Sequence, residues 1–547
     1  MRRSSAAAAL GIAVLPLVAG GFLLQSRQTR DGARLFDQVL GYVSDRFVDT
    51  VDTGALYEKA ARGLVHELHD PYTVLMSPKE LQSFQRTTGG RYGGVGMQIE
   101  DQQGLITVSR VFPHTPAEDA GILEGDKIIQ IDTQSTRGWK LQQVSNTLIG
   151  TPGTKVNVKF GRPGVTEPIQ VRFTRAVIHI PAVPYALMLD NKVGYIPLQQ
   201  FNETATEEVE RALKRLTAEG ARSLVLDLRG NPGGYFDQSQ TVSNLFLKSG
   251  LEIVSVRGRA AEPQTYVAKD NPVAPTIPVV ILTDGGTASA SEIVAGALQD
   301  HDRALIVGTT SFGKGLVQSV FNLDGGYAIK LTTAKWFTPV GRSIQKERKL
   351  LASGEFVEVH PDSLESDSAR KARPTFKSDA GRMVYGGGAI TPDIVVKPDT
   401  LTTLEQTLAK ALAPKAQETY VALSAYALEL KPSVTPSFTV KPEWRGEFYS
   451  RLRKAGVEID RAQYDAGSEY IDRLLDRRVS RLAFGDSTAK RREIADDVQL
   501  RKALDILKRS PTQKDLFVIA AQTATASVAP RRPSQGAVVQ GGVPAKP

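Results

Sequence analysis

The stretch from Val279 to Gln318 constrains the fold more than any other part of this chain. It begins with an apolar strand over 279–282, followed by a glycine turn and by small and hydroxyl side chains up to Ser291. A helix follows at once, with Glu292 in its first turn. Strand, sharp turn, serine and helix is the order in which an α/β enzyme raises a nucleophile above the end of its sheet. The N–H groups at the start of such a helix can then bind developing negative charge.

A serine needs a neighbour that takes its proton, and a lysine is the candidate here. The stretch has no G-x-S-x-G elbow, and the nearest histidine, His301, lies at the far end of the helix. Lys314 is flanked by glycines that allow close approach of the backbone. To act as a base, its pKa must fall from ~10.4 towards ~7–8, which requires a largely buried ammonium group. Gln318 lies four residues further on, and on a strand it would share a face with the lysine and could orient it.

The segments TASASEI-x-AGALQD and FGKG-x-VQ resemble the C-terminal processing peptidases, also called tail-specific proteases. The resemblance implies that Ser289 is the nucleophile, Lys314 the general base and Gln318 the residue that supports the lysine. It implies neither a metal nor a cofactor. Ser291 is the competing nucleophile, but the motif places it further into the helix, where a capping role is the alternative. A helix cap beside an ordinary surface lysine is the interpretation without catalysis.

A second glycine-rich segment, DLRGNPGG, ends the apolar strand over 223–228. The end of a central strand is where α/β sheets place their chemistry. In the family this loop supplies one N–H group to the oxyanion, and the residue after the nucleophile supplies the other. The resemblance therefore assigns the N–H groups of Ala290 and Gly233, with Gly234 one residue away. A phosphate-binding loop is the rival interpretation, but no G-K-[ST] follows the glycines.

Residues 91–175 resemble a PDZ domain. The segment YGGVGM matches the loop in which successive backbone N–H groups bind the C-terminal carboxylate of a peptide. A ligand would add as a strand beside residues 95–99. A β-domain that only packs or dimerises is the interpretation without a ligand. The predicted peptide-binding residues are Gly94, Val95, Gly96 and Met97.

At 547 residues, the chain is long enough for several domains. We expect a multidomain α+β and α/β fold in which a PDZ β-domain precedes an α/β-sandwich peptidase core similar to the crotonases and Clp proteases, with helical regions at both ends. The predicted segments are 1–30 (signal peptide or membrane anchor), 31–88 (N-terminal helical region), 89–178 (PDZ domain), 179–398 (serine peptidase core), 399–515 (C-terminal helical region) and 516–547 (disordered tail).

The N-terminal segment predicts export. Arg2 and Arg3 precede an apolar run from Ala6 to Leu24, which is a positive n-region followed by a hydrophobic h-region. The run is nearly long enough to span a bilayer, so a cleaved signal peptide and an uncleaved anchor both stay open. We expect a protein of the periplasm or cell envelope whose association with the inner membrane, if any, is made by this segment.

Composition and charge exclude several classes of site. The chain contains no cysteine, which excludes a thiol nucleophile, disulfides and a lipid anchor on cysteine. Its net charge of +9 is modest, and acidic and basic residues are interspersed, so we expect no nucleic-acid partner. His66 and His69 lie beside Asp70 but have no third ligand near them in sequence, so we expect no metal there.

The predicted function is that of a serine endopeptidase that recognises the C-terminal tails of exported proteins through its PDZ domain and hydrolyses them with a Ser–Lys dyad. A homo-oligomer, an accessory adaptor protein and gating of the dyad by movement of the PDZ domain stay open. A catalytically silent PDZ-containing scaffold protein of the same fold is the alternative. A small-ester hydrolase on a related fold is a second.

Overall fold

The computed structural model describes residues 31–102, 104–162, 165–351, 356–358, 373–399 and 401–528. The predicted signal peptide or anchor, residues 1–30, lies outside them. The chain divides into two compact units, one comprising the residues up to Lys79 with Gln318–Thr332, the other comprising Glu80–Val317 and the residues from Thr333 onward. In the part of the chain that the structure describes, every helix is too short or too polar to span a lipid bilayer.

The first unit contains the N-terminal helices. Its described elements include α1 (31–46), α2 (Thr53–His66) and β1 (Val74–Met76). Strand β1 pairs antiparallel with residues 328–330. The predicted helical character of this region is confirmed, with one short strand in addition.

Helix α3 (Pro78–Gly89), which belongs to the second unit from Glu80 onward, leads into an antiparallel β-domain. Its elements are β2 (Arg91–Gly94), β3 (Met97–Gln102), β4 (Leu105–Val111), α4 (Pro116–Asp119), β5 (Lys127–Ile131), β6 (Gln134–Ser135), α5 (Leu141–Leu148), β7 (Lys155–Gly161), β8 (Ile169–Thr174) and β9 (Ala176–His179). The sheet order is β3–β4–β5–β7–β8, with β6 paired to β5, and β2 pairs with β9. Val156, Val158 and Phe160 alternate into the core of this domain, which is the period of a strand with one buried face.

The α/β core follows. Its elements are β10 (Leu187–Leu189), β11 (Val193–Pro197), α6 (Ala205–Ala218), β12 (Ser223–Asp227), α7 (Phe236–Asn244), β13 (Glu252–Gly258), β14 (Gln264–Val267), β15 (Val279–Thr283), α8 (Ala290–Asp300), β16 (Leu305–Gly308), β17 (Leu316–Asn322), β18 (Ala328–Phe337), β19 (Arg348–Leu350), β20 (Phe356–Glu358), β21 (Thr375–Lys377), β22 (Met383–Tyr385) and β23 (Ile394–Val395). The main sheet has the order β10–β11–β12–β15–β16–β23, parallel except for β10. Every residue of β11, β12, β15 and β16 is buried, as expected for a parallel sheet covered on both faces.

Helices α6, α7 and α8 cover one face of this sheet, and the C-terminal region covers the other. That region contains α9 (Thr403–Leu412), α10 (Ala416–Leu430), α11 (Pro442–Lys454), α12 (Arg461–Ala466), α13 (Ser468–Glu493), α14 (Val498–Arg509) and α15 (Gln513–Val528). Leu500 and Ile506 of α14 and Leu516 of α15 are fully buried against the sheet. The prediction of a disordered tail from residue 516 is therefore wrong up to Val528, because α15 supplies apolar side chains to the core. The predicted order of helical region, β-domain, α/β core and helical region is confirmed.

Candidate active site

Ser289 lies at the turn between β15 and α8, just beyond the carboxyl end of a central parallel strand. Its backbone has φ 56° and ψ −115°. A residue with a side chain rarely adopts a positive φ, and it keeps one only where its surroundings enforce it. Ser289 is half-buried, and α8 begins at the next residue. The sequence therefore folds as expected here, with a serine beyond the carboxyl ends of the parallel strands, where open α/β folds bind their ligands.

Two side chains tie this turn to the loop that follows β12. Asp284 Oδ1 accepts hydrogen bonds from the N–H groups of Gly230 and Gly286, each at 2.9 Å. The buried Thr287 hydroxyl donates to the carbonyl of Leu228 at 2.8 Å. Two of these bonds, those of Asp284 with Gly230 and of Thr287 with Leu228, connect the serine turn to the loop after β12, so the unfavourable backbone of the turn is held in part by groups outside it.

Asn231 forms the centre of the loop after β12 and is fully buried. Its backbone carbonyl accepts the N–H of Ala288 at 2.9 Å, its Nδ2 donates to the carbonyl of Leu198 at 2.7 Å, and its Oδ1 accepts the N–H of Gly233 at 2.9 Å. A buried amide that has partners on both sides stabilises one loop conformation. The sequence motif contained this residue, but gave it no role.

The two N–H groups assigned to the oxyanion differ in their availability. Among the described residues, the N–H of Ala290 makes no hydrogen bond, which is normal for the first residue of a helix. The N–H of Gly233 donates to Asn231, so the assignment to Gly233 is not met in this conformation. The N–H of the next residue, Gly234, makes no hydrogen bond within the described chain. Ala290 and Gly234 therefore offer the N–H groups that are unoccupied here.

The loop after β12 touches the serine turn at Gly233. A Cβ atom on this residue would lie 2.7 Å from the carbonyl oxygen of Ala288 and 2.9 Å from the nitrogen of Ala290. Gly233 also has a φ of +92°. Both facts require glycine at this position, since any side chain would push the loop away from the serine turn.

Ser291, the competing nucleophile, is fully buried. Its hydroxyl donates to the carbonyl of Asn231 at 3.1 Å. The side chain thus joins α8 to the loop after β12 from inside the protein, while Ser289 is the more accessible of the two serines.

Glu292 connects the serine turn to the segment that carries the predicted base. Its Oε2 accepts the N–H of Ser289 at 2.8 Å and the N–H of Lys314 at 2.9 Å. Its Oε1 accepts the N–H of Gly313 at 2.7 Å and the hydroxyl of Ser311. One fully buried carboxylate therefore holds the backbones of Ser289 and Lys314 side by side. The sequence predicts Glu292 in the first turn of the helix, but no local pattern indicates this bridging role.

Burial raises the pKa of Glu292, and the four hydrogen bonds it accepts oppose that rise. Each of these donors points at an acceptor oxygen, which is the arrangement that an ionised carboxylate satisfies. The cost of burying the carboxylate is thus offset by the backbone of both segments.

Lys314 is half-buried in the loop between β16 and β17. Its carbonyl accepts the indole N–H of Trp336 at 3.1 Å. The flanking glycines are needed for close approach, as the sequence suggested, because a Cβ on Gly313 would lie 2.5 Å from Lys346 Cγ and one on Gly315 would lie 2.9 Å from the nitrogen of Gln345. The backbone around the lysine is therefore fixed on several sides.

Gln318 is half-buried on β17, and its Nε2 lies 3.5 Å from the hydroxyl of Thr332. The strand begins at Leu316, two residues after Lys314. The expectation that the lysine and the glutamine share a face of one strand is therefore wrong, since the strand period does not extend back to the lysine.

Arg229, in the loop after β12, belongs to a charged cluster that the sequence did not predict. Its guanidinium donates to both carboxylate oxygens of Asp227, at 2.9 and 2.6 Å. Tyr195 donates to the same carboxylate at 2.7 Å. The guanidinium also binds Asp497 and Gln499, which lie at the start of α14. The C-terminal region thus makes direct contact with the loop after β12, which touches the serine turn.

The predicted carboxylate-binding loop joins β2 to β3. Gly96 has a φ of +89°, and a Cβ there would lie 2.2 Å from Thr115 Cβ. Within the described chain, the N–H groups of Val95 and Gly96 make no hydrogen bond. Gly94 and Met97 end and begin the flanking strands. Two adjacent unoccupied N–H groups are what a peptide carboxylate requires.

Beside this loop lies a cavity of about 530 Å³ between β3 and α5. Val95, Met97 and Ile99 line it from the strand side, and Leu141 and Leu148 line it from the helix. The lining is mostly apolar, as in sites that take extended peptides with apolar side chains.

Comparison with known proteins agrees with this geometry. The family described as Peptidase family S41 matches residues 192–362, the PDZ domain family matches residues 107–162, and the N-terminal domain of the activating protease CtpB matches residues 24–80. A carboxy-terminal-processing protease of Bartonella bacilliformis is 38% identical over 315 residues, which are 57% of this chain and 72% of that protein. The chain belongs to the C-terminal processing peptidases.

Other members of the family include the carboxy-terminal processing protease CtpA of Bacillus subtilis, which is 35% identical over 329 residues, 59% of this chain and 70% of that protein. Among solved structures, the photosystem II D1 C-terminal processing protease is 28% identical, with a TM-score of 0.36, and the match covers 66% of this chain and 87% of that one. As a C-terminal processing peptidase, the protein is a serine-type peptidase with a PDZ domain.

Proposed function

We propose that this peptidase hydrolyses peptide bonds with Ser289 as nucleophile and Lys314 as general base. The observation that carries the proposal is the position of Glu292, whose single Oε2 atom accepts the backbone N–H groups of both residues. A carboxylate buried for this contact holds the two segments in one arrangement, and fixed relative positions account for a large part of enzymatic rate enhancement.

In this mechanism, Ser289 Oγ attacks the carbonyl carbon of the scissile bond while Lys314 Nζ takes the hydroxyl proton. The carbonyl oxygen becomes an oxyanion, which accepts hydrogen bonds from the N–H of Ala290 and from a glycine N–H of the loop after β12. Gly234 suits this second role as the loop is arranged here, and Gly233 would take it if its bond to Asn231 opened. The C–N bond then breaks as Lys314 returns the proton to the leaving amine. Water repeats the sequence on the serine ester and restores Ser289.

Lys314 must be neutral to accept a proton, so its pKa has to lie well below ~10.4 in the substrate complex. A half-buried lysine loses its remaining water when a peptide covers it, and desolvation favours the neutral amine. Gln318 is proposed to orient the amine, by resemblance to the family.

Substrates are proposed to be exported proteins whose apolar C-terminal tails bind beside β3. The unoccupied N–H groups of Val95 and Gly96 support carboxylate recognition, and the apolar groove supports recognition of the side chains. Export is proposed from the apolar run of the first thirty residues, which would also make any membrane association.

A fluorophosphonate probe tests the nucleophile. The full chain is incubated with the probe, digested and mapped by mass spectrometry, beside Ser289→Ala, Ser291→Ala and Lys314→Ala. We expect the label on Ser289, unchanged labelling of the Ser291→Ala protein and much slower labelling without Lys314. A label on Ser291 would contradict the proposal. Binding of C-terminal peptides without any labelling or cleavage would instead favour a silent PDZ scaffold.

A further inference from the structure

The backbone groups on the free edge of β3 follow from its pairing with β4. Val108 of β4 turns its N–H and carbonyl towards the other side, bonding Asp126 and Gly125 at 2.8 Å each. It is therefore a non-hydrogen-bonded partner of Ile99, whose own N–H and carbonyl must point away from β4. Two residues further on, Asp101 repeats the orientation, since backbone direction alternates along a strand.

The predicted carboxylate-binding loop lies at the N-terminal end of β3. The C-terminal tail of a bound substrate must therefore run antiparallel to this strand. Its last residue then lies opposite Met97, its third residue from the end opposite Ile99, and its fifth opposite Asp101. Each of these ligand residues would donate its N–H to the carbonyl that it faces.

The carbonyl of Asp101 already accepts a hydrogen bond from another part of the chain. Gln417, in the first turn of α10, donates its side-chain N–H to this oxygen. Further along the same helix, Leu428 packs against the backbone of the β-domain, where a Cβ on Gly125 would lie 2.5 Å from Leu428 Cδ1. An ion pair between Arg110 and Asp486 of α13 adds a second connection to the C-terminal region.

The residues that line the cavity beside β3 agree with this contact. Among the residues of β3, the cavity is lined by Met97, Gln98 and Ile99, and its lining does not include Glu100, Asp101 or Gln102. The accessible part of the free edge of β3 thus ends before the point at which Gln417 contacts the strand.

We propose that helix α10 ends the ligand-binding edge of the PDZ domain, so that a substrate tail pairs with β3 through its last three residues and leaves the strand before the fifth. This inference rests on the proposed recognition of C-terminal tails and specifies it. Gln417 is the residue that sets the limit. Sequence preference should therefore concentrate in the last three residues of a substrate, and longer extended tails should gain little affinity.

The test uses seven-residue peptides with a free carboxylate, an apolar last residue and a fluorophore at the N-terminus. Binding to the full chain carrying Ser289→Ala, which cannot cut them, is measured by fluorescence anisotropy. One peptide is N-methylated on its third residue from the end and another on its fifth, which removes the N–H that would face Ile99 or Asp101. We expect the first to raise Kd at least tenfold and the second to change it less than twofold.

Gln417→Ala is then added to the same background, with Gln463→Ala as the matched control, because Gln463 donates in the same way to the carbonyl of Thr407. We expect methylation of the fifth residue to weaken binding several-fold only after Gln417→Ala. Equal losses at the third and fifth residues with Gln417 present would overturn the inference, as would an insensitive fifth residue after Gln417→Ala. Equal binding of peptides with amidated and free C-termini would instead show that the proposed recognition of C-termini itself is wrong.

Discussion

Arg229 donates two hydrogen bonds to the carboxylate of Asp497, at 2.9 and 2.8 Å. The arginine lies in the loop after β12, which touches the serine turn, and the aspartate caps helix α14 by accepting the N–H of Leu500 at 3.0 Å. A paired guanidinium and carboxylate with two parallel bonds is among the stronger and more directional contacts in proteins. The start of α14 therefore holds the loop after β12, and helices α14 and α15 also cover one face of the sheet.

Asp497→Asn should lower both stability and activity. The change leaves the mostly buried Arg229 with one carboxylate fewer, and removing one partner of such a pair costs about 3 kcal/mol. Urea unfolding and kcat/KM on a cleavable peptide measure the two effects. The neighbouring Asp496→Asn, at an exposed side chain, is the control and should change neither. Equal behaviour of the two variants would show that the contact does not support the loop.

The stabilisation from Asp497 should disappear in acid. Burial would raise the pKa of this carboxyl, but the hydrogen bonds and charge of Arg229, with Lys490, outweigh it and hold the pKa well below its ordinary value. A carboxyl whose pKa is lowered by folding stabilises the folded protein at pH values above its pKa in the unfolded chain, ~3.9. This stabilisation is lost as the pH falls towards the pKa of the same carboxyl in the folded protein. The stability difference between the wild type and Asp497→Asn should thus be constant from pH 7 to about 5 and shrink below about 4. A difference that grows in acid would contradict this sign.

Glu292→Gln should reduce kcat far more than peptide binding. The amide keeps one acceptor oxygen, and its NH₂ group must face two of the four donors that the carboxylate now accepts. Displacing Ser289 or Lys314 by about 1 Å should cost about a hundredfold in kcat. Anisotropy of a bound C-terminal peptide should be unchanged. Glu207→Gln, which affects an exposed pair with Arg211, is the control, and a kcat within twofold of wild type in Glu292→Gln would refute the bridging role.

Gly233→Ala and Gly230→Ala form a matched pair in one loop. Both glycines have a positive φ, +92° and +67°, so both substitutions carry backbone strain of about 1 kcal/mol. A Cβ at Gly230 meets nothing within 4 Å, whereas one at Gly233 would press against the backbone of the serine turn at 2.7 Å. Gly233→Ala should abolish cleavage, and Gly230→Ala should retain most of it. Thermal unfolding separates lost folding from lost activity, and comparable activity in the two variants would count against the close approach.

Local patterns in the sequence predicted the elements around the site well. The apolar runs that form β12 and β15 are buried on both faces, as a continuous apolar run in a sequence indicates. The residues of the turn before it predict the start of the helix after Ser289, and the glycines beside Lys314 predict the close approach of the backbone there. Asp497 could not be found in this way, because it meets Arg229 only after the chain has folded around the whole core, and no local pattern records such a contact.

Other errors have equally specific causes. The period of a strand predicts that Lys314 and Gln318 share a face. Lys314 lies in the loop before β17, however, and the motif alone does not mark where a strand begins. The Gly233 N–H, which the resemblance assigns to the oxyanion, donates here to the side chain of Asn231 two residues away, and the motif does not record this competing acceptor. The composition from residue 523 onward, without acidic residues and dominated by Ala, Pro, Gly, Ser and Gln, predicts a tail, but Leu516 and Ala520 of α15 are buried against the sheet.

Cleavage of an unfolded protein with an apolar C-terminus tests the central claim most directly. The wild type is compared with Ser289→Ala, Lys314→Ala and Ser291→Ala, each confirmed as folded by circular dichroism. We expect no cleavage without Ser289 or without Lys314, and cleavage within a few-fold of wild type without the buried Ser291. Persistent cleavage by the Ser289→Ala protein, or its loss in Ser291→Ala alone, would contradict the account.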